Sequence, residues 1–254
     1  MAEKQKSQVK TARTTLRVVE AIKELDGAGV SEAADHLGMS KSNVYKYLNT
    51  LESEGYLIKN GSTYQIGVRF LNYGEHARNR KKLYEIAAPE VHKLADETNE
   101  MANLLIEEHG MGVFLLKANS EQAVNLDTHA GMRVYLHTTA LGKAILAHLP
   151  HKRVEEIVDH HGLPKAAEKT VTDRAELTAK LTEIRERGYA FDDEERLNGL
   201  RCVAMPITTT DDEVLGAISV SGPTSRMGEK RFTKDIPEKL SNAKNIIELN
   251  VEYY

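Results

Sequence analysis

Apolar side chains recur at helical spacing in three short segments near the start of the chain, residues 14–25, 30–37 and 40–54. Gly38 leaves only a tight connection between the second segment and the third, and Ser40 stands where a helix N-cap is expected. The pattern therefore predicts three short helices, of which the second braces the third.

A hairpin signal follows the third segment. Asn60-Gly61-Ser62 lies between two strand-like runs, residues 56–59 and 63–66, and Asn-Gly is the strongest short hairpin signal. Three short helices followed by such a hairpin are the pattern of a winged helix-turn-helix, in which the third helix enters the major groove of DNA.

The outward side of the third helix is polar and carries no acidic residue before Glu52. Its side chains offer donors to phosphate oxygens and base edges, and its first turn presents free N–H groups. Lys59 beside the hairpin and Arg69 after it are candidate phosphate contacts. The predicted DNA-binding residues are Ser40, Lys41, Ser42, Asn43, Tyr45, Lys46, Asn49 and Lys59.

Positive charge is concentrated in the same part of the chain. Residues 1–82 contain 14 Lys and Arg against 9 Asp and Glu, and the remaining residues contain 20 against 29. Charge alone fits a solvated surface as well as a phosphate-binding one, and an isolated polar helix face is more often ordinary surface. The combination of basic charge with the helix-turn-helix pattern favours DNA binding.

The rest of the chain mixes strand-like and helical runs without the strict alternation of a parallel sheet, so we expect an α+β domain. A connecting helix and a second helix that starts near Ala88-Pro89 precede it. The strand candidates are residues 104–107, 112–117, 123–127, 133–136, 189–192, 201–208 and 214–221. The helix candidates are residues 141–149, 153–160, 173–187 and 236–254.

Cysteine usage and hydropathy limit the compartment. Cys202 is the single cysteine and cannot form an internal disulfide, which is compatible with a reducing environment. No run approaches the ~20 apolar residues that cross a bilayer, and the N-terminus lacks the apolar run of a signal peptide. We expect a cytoplasmic protein that makes no membrane contact.

Four stretches resemble the IclR family of bacterial and archaeal transcription regulators, in the order the family has them. They are SEAADHLGMSKSNVYKYLNTLESEGYL followed by YQIG, LHTTALGKAILAHLP from Leu136, GYAFDDEERLNGLRCVAMPI from Gly188 and LGAISVSGPTSR from Leu215. The resemblance implies an α+β fold with an N-terminal winged helix-turn-helix and a GAF-like effector domain built on a six-stranded antiparallel sheet. We expect the DNA-binding domain at residues 1–69, a linker helix at 70–87 and the effector-binding domain at 88–254.

The resemblance also implies a function. The chain is expected to be a transcriptional regulator rather than an enzyme, to need no cofactor, and to form a homodimer or homotetramer. Its expected partners are double-stranded DNA and a small organic effector such as a carboxylate or a sugar derivative. The sequence leaves open the effector, the operator, and the choice between repressor and activator.

Carried over position by position, the family's effector pocket falls on residues that suit a small polar ligand. Serine hydroxyls and the N–H groups around residues 140–142 can hold a carboxylate or hydroxyl, and Leu and Val supply an apolar wall. Asp192 suits a hydroxyl or amine better than an anion unless it is protonated. Each serine, and Cys202, could equally be an ordinary interior residue. The implied set is Leu126, Val134, Ala140, Leu141, Asp192, Leu200, Cys202, Ser219 and Ser221.

One departure from the family concerns the third helix. Many members carry Arg where Lys46 stands here. Lysine keeps the positive charge but lacks the bidentate fork that reads guanine well. Lys46 is therefore expected to hold phosphate rather than a base.

Two other classes of protein use similar residues. Cys202 with His137 and Asp192 could form a thiol enzyme, although Cys202 lies in an apolar run rather than at a helix N-terminus. A metal-binding sensor could use some of the histidines, yet adjacent histidines on a helix point about 100 degrees apart and cannot face one ion without other ligands. The candidate ligands are His148, His151, Asp159, His160 and His161.

Overall fold

The computed structural model describes residues 9–123 and 128–253. The chain divides into two compact units, one up to Ala77 and the other from Arg78 onward. Within the described residues both helices and an antiparallel sheet are present, which confirms the predicted α+β class. The domain limits expected at 1–69, 70–87 and 88–254 remain a prediction.

The N-terminal unit contains the three predicted helices and the predicted hairpin. Its elements are α1 (Lys10–Glu24), β1 (Ala28–Gly29), α2 (Val30–Leu37), α3 (Lys41–Ser53), β2 (Leu57–Asn60) and β3 (Thr63–Ile66), followed by α4 (Arg69–Asn79). The three strands form a small antiparallel sheet in the order β1-β3-β2. The two-residue strand β1 was not predicted. Asn60 pairs with Thr63, so the hairpin loop consists of Gly61 and Ser62 rather than three residues.

A small core holds the helices of this unit together. Val18, Val44, Leu48 and Tyr64 are buried in one apolar cluster, so α1, α3 and the hairpin share a single interior. Gly38 ends α2 at φ +65°, a left-handed conformation that glycine adopts at little cost, and the chain turns directly into α3. Ser40 occupies the N-cap position of α3, but its side chain makes no capping hydrogen bond, contrary to our expectation.

The C-terminal unit is built on a six-stranded antiparallel sheet. Its elements are α5 (Lys82–Thr98), β4 (Met101–Glu108), β5 (Met111–Asn119), β6 (Arg133–Tyr135), α6 (Ala140–His148), α7 (His151–His161), α8 (Arg174–Arg187), β7 (Ala190–Asp193), β8 (Leu200–Thr208), β9 (Val214–Pro223) and α9 (Ile236–Tyr253). The strand order is β6-β5-β4-β9-β8-β7, and every described pair is antiparallel.

Helices cover both faces of this sheet. α5 and α9 pack on one face, where alternate residues of the strands, such as Val203 and Ile218, join their apolar cluster. α6 packs on the other face against Cys202, Ala204 and Ala217, and α8 packs against α6. The result is a three-layer unit with two separate cores.

One helix of the C-terminal unit begins earlier than the sequence predicts. α5 begins at Lys82 and not near Ala88, so Pro89 lies inside the helix. Burial of Leu83 and Ala87 against the sheet extends the helix across a proline that local preference would place in its first turn. The strand predicted at residues 123–127 falls almost wholly outside the described residues.

α9 is amphipathic rather than uniformly apolar. It buries Leu240, Ala243 and Ile247 on the sheet and exposes Leu249 and Tyr253. Among the helices that the structure describes, none combines the length and the apolar content that crossing a bilayer requires.

Candidate functional site

The side chains predicted to contact DNA all lie on the surface of the N-terminal unit. Val44, Leu48 and Leu51 of α3 face the core, which turns the opposite side of the helix outward. On that outward side and on β2 the exposed residues include Ser40, Lys41, Ser42, Asn43, Tyr45, Lys46, Asn49 and Lys59. Exposure is what DNA contact requires, and the contact itself stays a prediction.

The two cations near the hairpin differ in their surroundings. The Lys59 ammonium lies 5.1 Å from the centre of the Tyr64 ring, and its side chain remains exposed. The Arg69 guanidinium donates a hydrogen bond to the Glu54 carbonyl and lies 4.6 Å from the centre of the Tyr56 ring. Arg69 therefore links the end of α3 to the start of α4. Its side chain is exposed, and its predicted phosphate contact stays a prediction.

Cross-strand pairing places polar side chains next to one another on the α6 face of the large sheet. Opposed residues of antiparallel strands point to the same face, and so do residues two positions apart. The first row, across β4, β9, β8 and β7, is Met101, Ser221, Cys202 and Asp192. The second row, two positions along, is Asn103, Ser219, Ala204 and Ala190. We call these eight residues the polar rows.

The residues implied by the resemblance fall on or beside the polar rows. Asp192, Cys202, Ser219 and Ser221 belong to the rows, and Leu200 lies two positions before Cys202 on β8. The other three described residues, Val134, Ala140 and Leu141, share a buried cluster with Cys202. All eight are buried. Leu126 lies outside the described residues.

Asn103 is a polar-row residue that sequence reasoning missed. It is 2% exposed, and its Nδ2 donates to Ser219 Oγ at 3.3 Å. Its Oδ1 is buried and, within the described part of the chain, has no hydrogen-bond partner. A buried amide atom without a partner is costly, so this atom favours a site that a polar ligand or water completes. An asparagine inside the strand sequence Met-Ala-Asn-Leu-Leu was the available signal.

The N-terminus of α6 offers fewer free donors than we expected. Thr139 is the N-cap, and its Oγ1 accepts a hydrogen bond from the Gly142 N–H at 2.9 Å. The N–H groups of Ala140 and Leu141, the first two in the helix, have no intrahelical acceptor. Gly142 itself permits a close approach, because a Cβ there would lie 2.1 Å from the Leu136 carbonyl oxygen.

Glu195 joins the elements around the polar rows. Its carboxylate lies 2.5 Å from the buried Lys143 ammonium of α6 and 3.5 Å from Lys180 of α8. Its backbone carbonyl accepts a hydrogen bond from Thr170 Oγ1 at 2.6 Å. Burial lowers the pKa of Lys143, and the negative charges of Glu195 and Asp192 oppose that change. A buried ammonium requires such a partner, so α6 is held to the loop after β7.

Asp192 is buried at the start of that loop. Its Oδ1 accepts a hydrogen bond from the Glu195 N–H at 2.7 Å, which forms the turn. Burial raises the pKa of Asp192 to about 6, although the Lys143 charge acts in the opposite direction. The carboxylate is therefore partly protonated in mildly acidic solution, and one of its oxygens is already used by the protein.

Arg196 is a second residue that sequence reasoning missed. Its guanidinium lies 5.6 Å from the centre of the Phe114 ring and contacts Thr128 Oγ1 at 3.4 Å. Phe114 belongs to the same buried cluster as Cys202, so Arg196 lies on the Cys202 side of the sheet. A cation at this position can attract an anionic ligand toward the polar rows.

The geometry does not favour thiol chemistry at Cys202. Burial raises the pKa of the thiol to about 12, whereas a nucleophilic cysteine needs a lowered pKa. His137, the base in that hypothesis, has Nε2 3.0 Å from the Pro164 carbonyl oxygen, and burial lowers its pKa.

The histidine-rich region likewise presents no metal cage. Among the described residues no three His, Cys, Asp or Glu side chains converge on one point. His161 Nε2 lies 2.9 Å from the His109 carbonyl oxygen, and His148 Nδ1 lies 2.9 Å from the Ala144 carbonyl oxygen. Asp159 pairs with Arg174. These groups are thus engaged within the protein.

Both units match families of known regulators. Residues 12–61 match the IclR helix-turn-helix domain, and residues 75–248 match the bacterial transcriptional regulator IclR C-terminal family. The probable HTH-type transcriptional regulator ArcR of Halobacterium salinarum is 33% identical over 241 residues, which cover 93% of this chain and 92% of that protein.

Solved structures agree with these matches. The Thermotoga maritima IclR structure has a TM-score of 0.77 at 29% identity and covers 95% of this chain and 98% of its own. An IclR homolog from Microbacterium hydrocarbonoxydans, complexed with 4-hydroxybenzoate, has a TM-score of 0.79 at 20% identity and covers 94% and 100%. The named relatives are transcriptional regulators, and none of them is described as an enzyme.

The raised pKa of Asp192 predicts a pH-dependent stability. A carboxyl whose pKa is higher in the folded state stabilises the fold below its unfolded pKa, and that contribution is lost as pH rises through about 6. We expect Asp192→Asn, which keeps the acceptor for the Glu195 N–H, to gain about 2 kcal/mol in unfolding free energy relative to wild type between pH 4.5 and 7.5. Urea unfolding followed by far-UV circular dichroism at each pH measures this difference.

Asp193→Asn is the matched control. The Arg201 guanidinium lowers the pKa of Asp193, so its stabilising contribution disappears only in more acidic solution and no comparable gain is expected in this pH range. A pH-independent difference between wild type and Asp192→Asn would contradict the assignment.

Proposed function

The chain belongs to the IclR family of transcriptional regulators, and on that premise we propose that it binds operator DNA through the exposed side of α3 and binds a small organic acid beside the polar rows. The observation that carries the proposal is the pairing of two features in one chain. One unit exposes an acid-free cationic helix face, and the other buries an incomplete set of polar groups.

The DNA-binding part of the proposal rests on charge and exposure. Lys41 and Lys46 project from an outward helix face that has no carboxylate before Glu52. Ser42, Tyr45 and Asn49 share that face at helical spacing and supply donors for base edges and phosphates. Lys59 is placed on the wing, where such proteins contact the flanking backbone.

A dimer is the form that we propose for DNA binding. Val9, which precedes α1, and Leu16 of α1 are each 68% exposed and line one open surface groove, and Leu71 of α4 is 64% exposed. Neighbouring exposed apolar side chains of this kind favour an interface with a second copy. Two copies would place two recognition helices in major grooves about one helical turn apart, or a multiple of it.

For the effector we propose a small carboxylate that also carries a hydroxyl. Arg196 and the first N–H groups of α6 suit the carboxylate, and Asn103 and the two serines suit the hydroxyl. The Microbacterium homolog is complexed with 4-hydroxybenzoate, a compound of this type. At 20% identity the likeness to that homolog shows only a shared fold. The proposed class of ligand therefore rests on the residues of this chain named above.

Ligand and DNA need only modest coupling. A coupling free energy of ~1 to 3 kcal/mol changes DNA affinity about 5- to 150-fold, which is enough to switch operator occupancy. Because the coupling is reciprocal, DNA should change the affinity for the acid by the same factor.

Lys46→Ala should weaken duplex binding through loss of one phosphate contact. The slope of log K against log salt should become shallower by about 1. Titrations of labelled duplex DNA at salt concentrations between about 50 and 200 mM measure the slope. Lys152→Ala removes one charge from the exposed part of α7 and is the control, for which the slope should not change. An unaltered slope for Lys46→Ala would remove this residue from the interface.

Ser219→Leu should abolish the effector response and leave DNA binding intact, because it fills the second polar row with an apolar side chain. Wild type is first screened by thermal shift against hydroxy and aromatic carboxylates, since a ligand of the native state raises the melting temperature. Asn103→Leu, which keeps the number of side-chain heavy atoms, removes the amide from the same row with less added bulk than Ser219→Leu. A normal response in both variants would refute the pocket assignment, and a lost response with lost DNA binding would point to misfolding.

A further inference from the structure

An apolar groove lies between α6, α7 and α8, and none of the polar-row residues lines it. Its volume is about 220 Å³, and no residue implied for the effector pocket lines it. The apolar part of its surface comes from the end of α6 and from the facing sides of α7 and α8. These side chains are Leu146, Leu149, Val154, Val158, Leu177 and Leu181.

One stripe of α8 forms the long wall of the groove. Arg174 and Arg185 lie at its two ends, eleven residues or roughly 16 Å apart along the helix. Between them Thr178 and Thr182 also line the groove, yet each hydroxyl donates to the carbonyl four residues earlier in the helix, at 2.9 Å and 3.1 Å. Because those protons are used by the helix, the wall between the arginines is more apolar than its composition suggests.

The charges at the rim are unevenly compensated. Arg174 is 2.5 Å from the Asp159 carboxylate, and His151 is 3.6 Å from the Glu155 carboxylate. Arg185 lies at the other end of the stripe, and among the described residues it forms no salt bridge with a carboxylate. Glu155 also lines the groove, and His151 can neutralise its carboxylate only when the imidazole is protonated. The α8 side of the groove therefore carries one uncompensated cation, Arg185, and the α7 side carries one carboxylate.

We propose that this groove is a second small-molecule site and that it binds a medium-chain aliphatic carboxylate of roughly eight carbons. The methylene chain packs along the leucines and valines, and the carboxylate pairs with Arg185. An unbranched apolar chain with one anionic head can pair its head with Arg185 and keep its methylenes on the leucines and valines, away from Glu155, which a compact hydroxy acid cannot do.

The test uses the full chain and octanoate as the probe, with hexanoate and octanol as comparisons. Isothermal titration should show octanoate binding about 15-fold more tightly than hexanoate, since each buried methylene is worth about fourfold. Octanol, which has the same apolar chain but no charge, should bind at least about fivefold more weakly than octanoate.

Variants separate the contribution of the ligand's carboxylate from that of its methylene groups. Arg185→Gln should reduce the affinity for octanoate to that for octanol and leave octanol unchanged, whereas Lys152→Gln, outside the groove on α7, should change neither. Thr178→Trp, which fills the channel from an exposed position, should abolish binding of both probes. Thermal melting confirms that each variant is folded, and all three changes are at exposed residues.

The effector-pocket variant separates this site from the proposed function. Octanoate should bind Ser219→Leu as it binds wild type, because Ser219 lies on the polar rows and not on the groove. Loss of binding in Ser219→Leu, normal binding to Arg185→Gln, an affinity independent of chain length, or no binding to wild type would each overturn the proposal. The last result is also the one expected if a second copy of the chain covers the groove.

Discussion

Glu195 is the residue through which the elements around the polar rows are held in place. It gives one carboxylate to the buried Lys143 of α6 and to Lys180 of α8, and its carbonyl accepts from Thr170. A buried ammonium without a partner would cost several kcal/mol, so the position of α6 over the sheet and the position of the loop after β7 depend on each other. Asp192, which is held in β7 opposite Cys202, accepts hydrogen bonds from the backbone N–H groups of Glu195 and Arg196 and so connects the same loop to the sheet.

The two units differ in where they place their polar side chains. The N-terminal unit buries a small apolar core so that the polar side of α3 can remain exposed and cationic. The C-terminal unit does the opposite and buries polar groups of β4, β7, β8 and β9 under α6. Exposed cations suit a large, hydrated polyanion such as DNA. Buried polar groups that lack some hydrogen-bond partners suit a small ligand that is desolvated when it binds.

The sequence predicted what neighbouring residues determine and missed what distant pairing determines. Apolar periodicity and Gly38 gave α1 to α3 to within a few residues, because capping and helix faces are local. The role of Asn103 follows only from its register opposite Ser219, which local sequence does not determine. The role of Lys143 follows only from its ion pair with Glu195, 52 residues away. The start of α5 was misplaced since burial of Leu83 against the sheet outweighs the local preference of Pro89. The pocket residues came from the family resemblance and not from spacing.

The most direct test of α3 as the DNA-contacting surface is cleavage of DNA from a label on α3. This test is practical because the chain's one native cysteine is buried. Cys202 is buried and its pKa is raised to about 12, so a cysteine introduced at the exposed Asn43 can be labelled selectively with an iron chelate that cleaves nearby DNA. On a genomic fragment selected by the protein, Asn43→Cys should cut within the protected sequence, at positions separated by about one helical turn or a multiple of it. Lys152→Cys, labelled in the same way, should not cut there. Equal cutting by both, or no cutting by Asn43→Cys on a fragment that the protein protects, would contradict the assignment of α3.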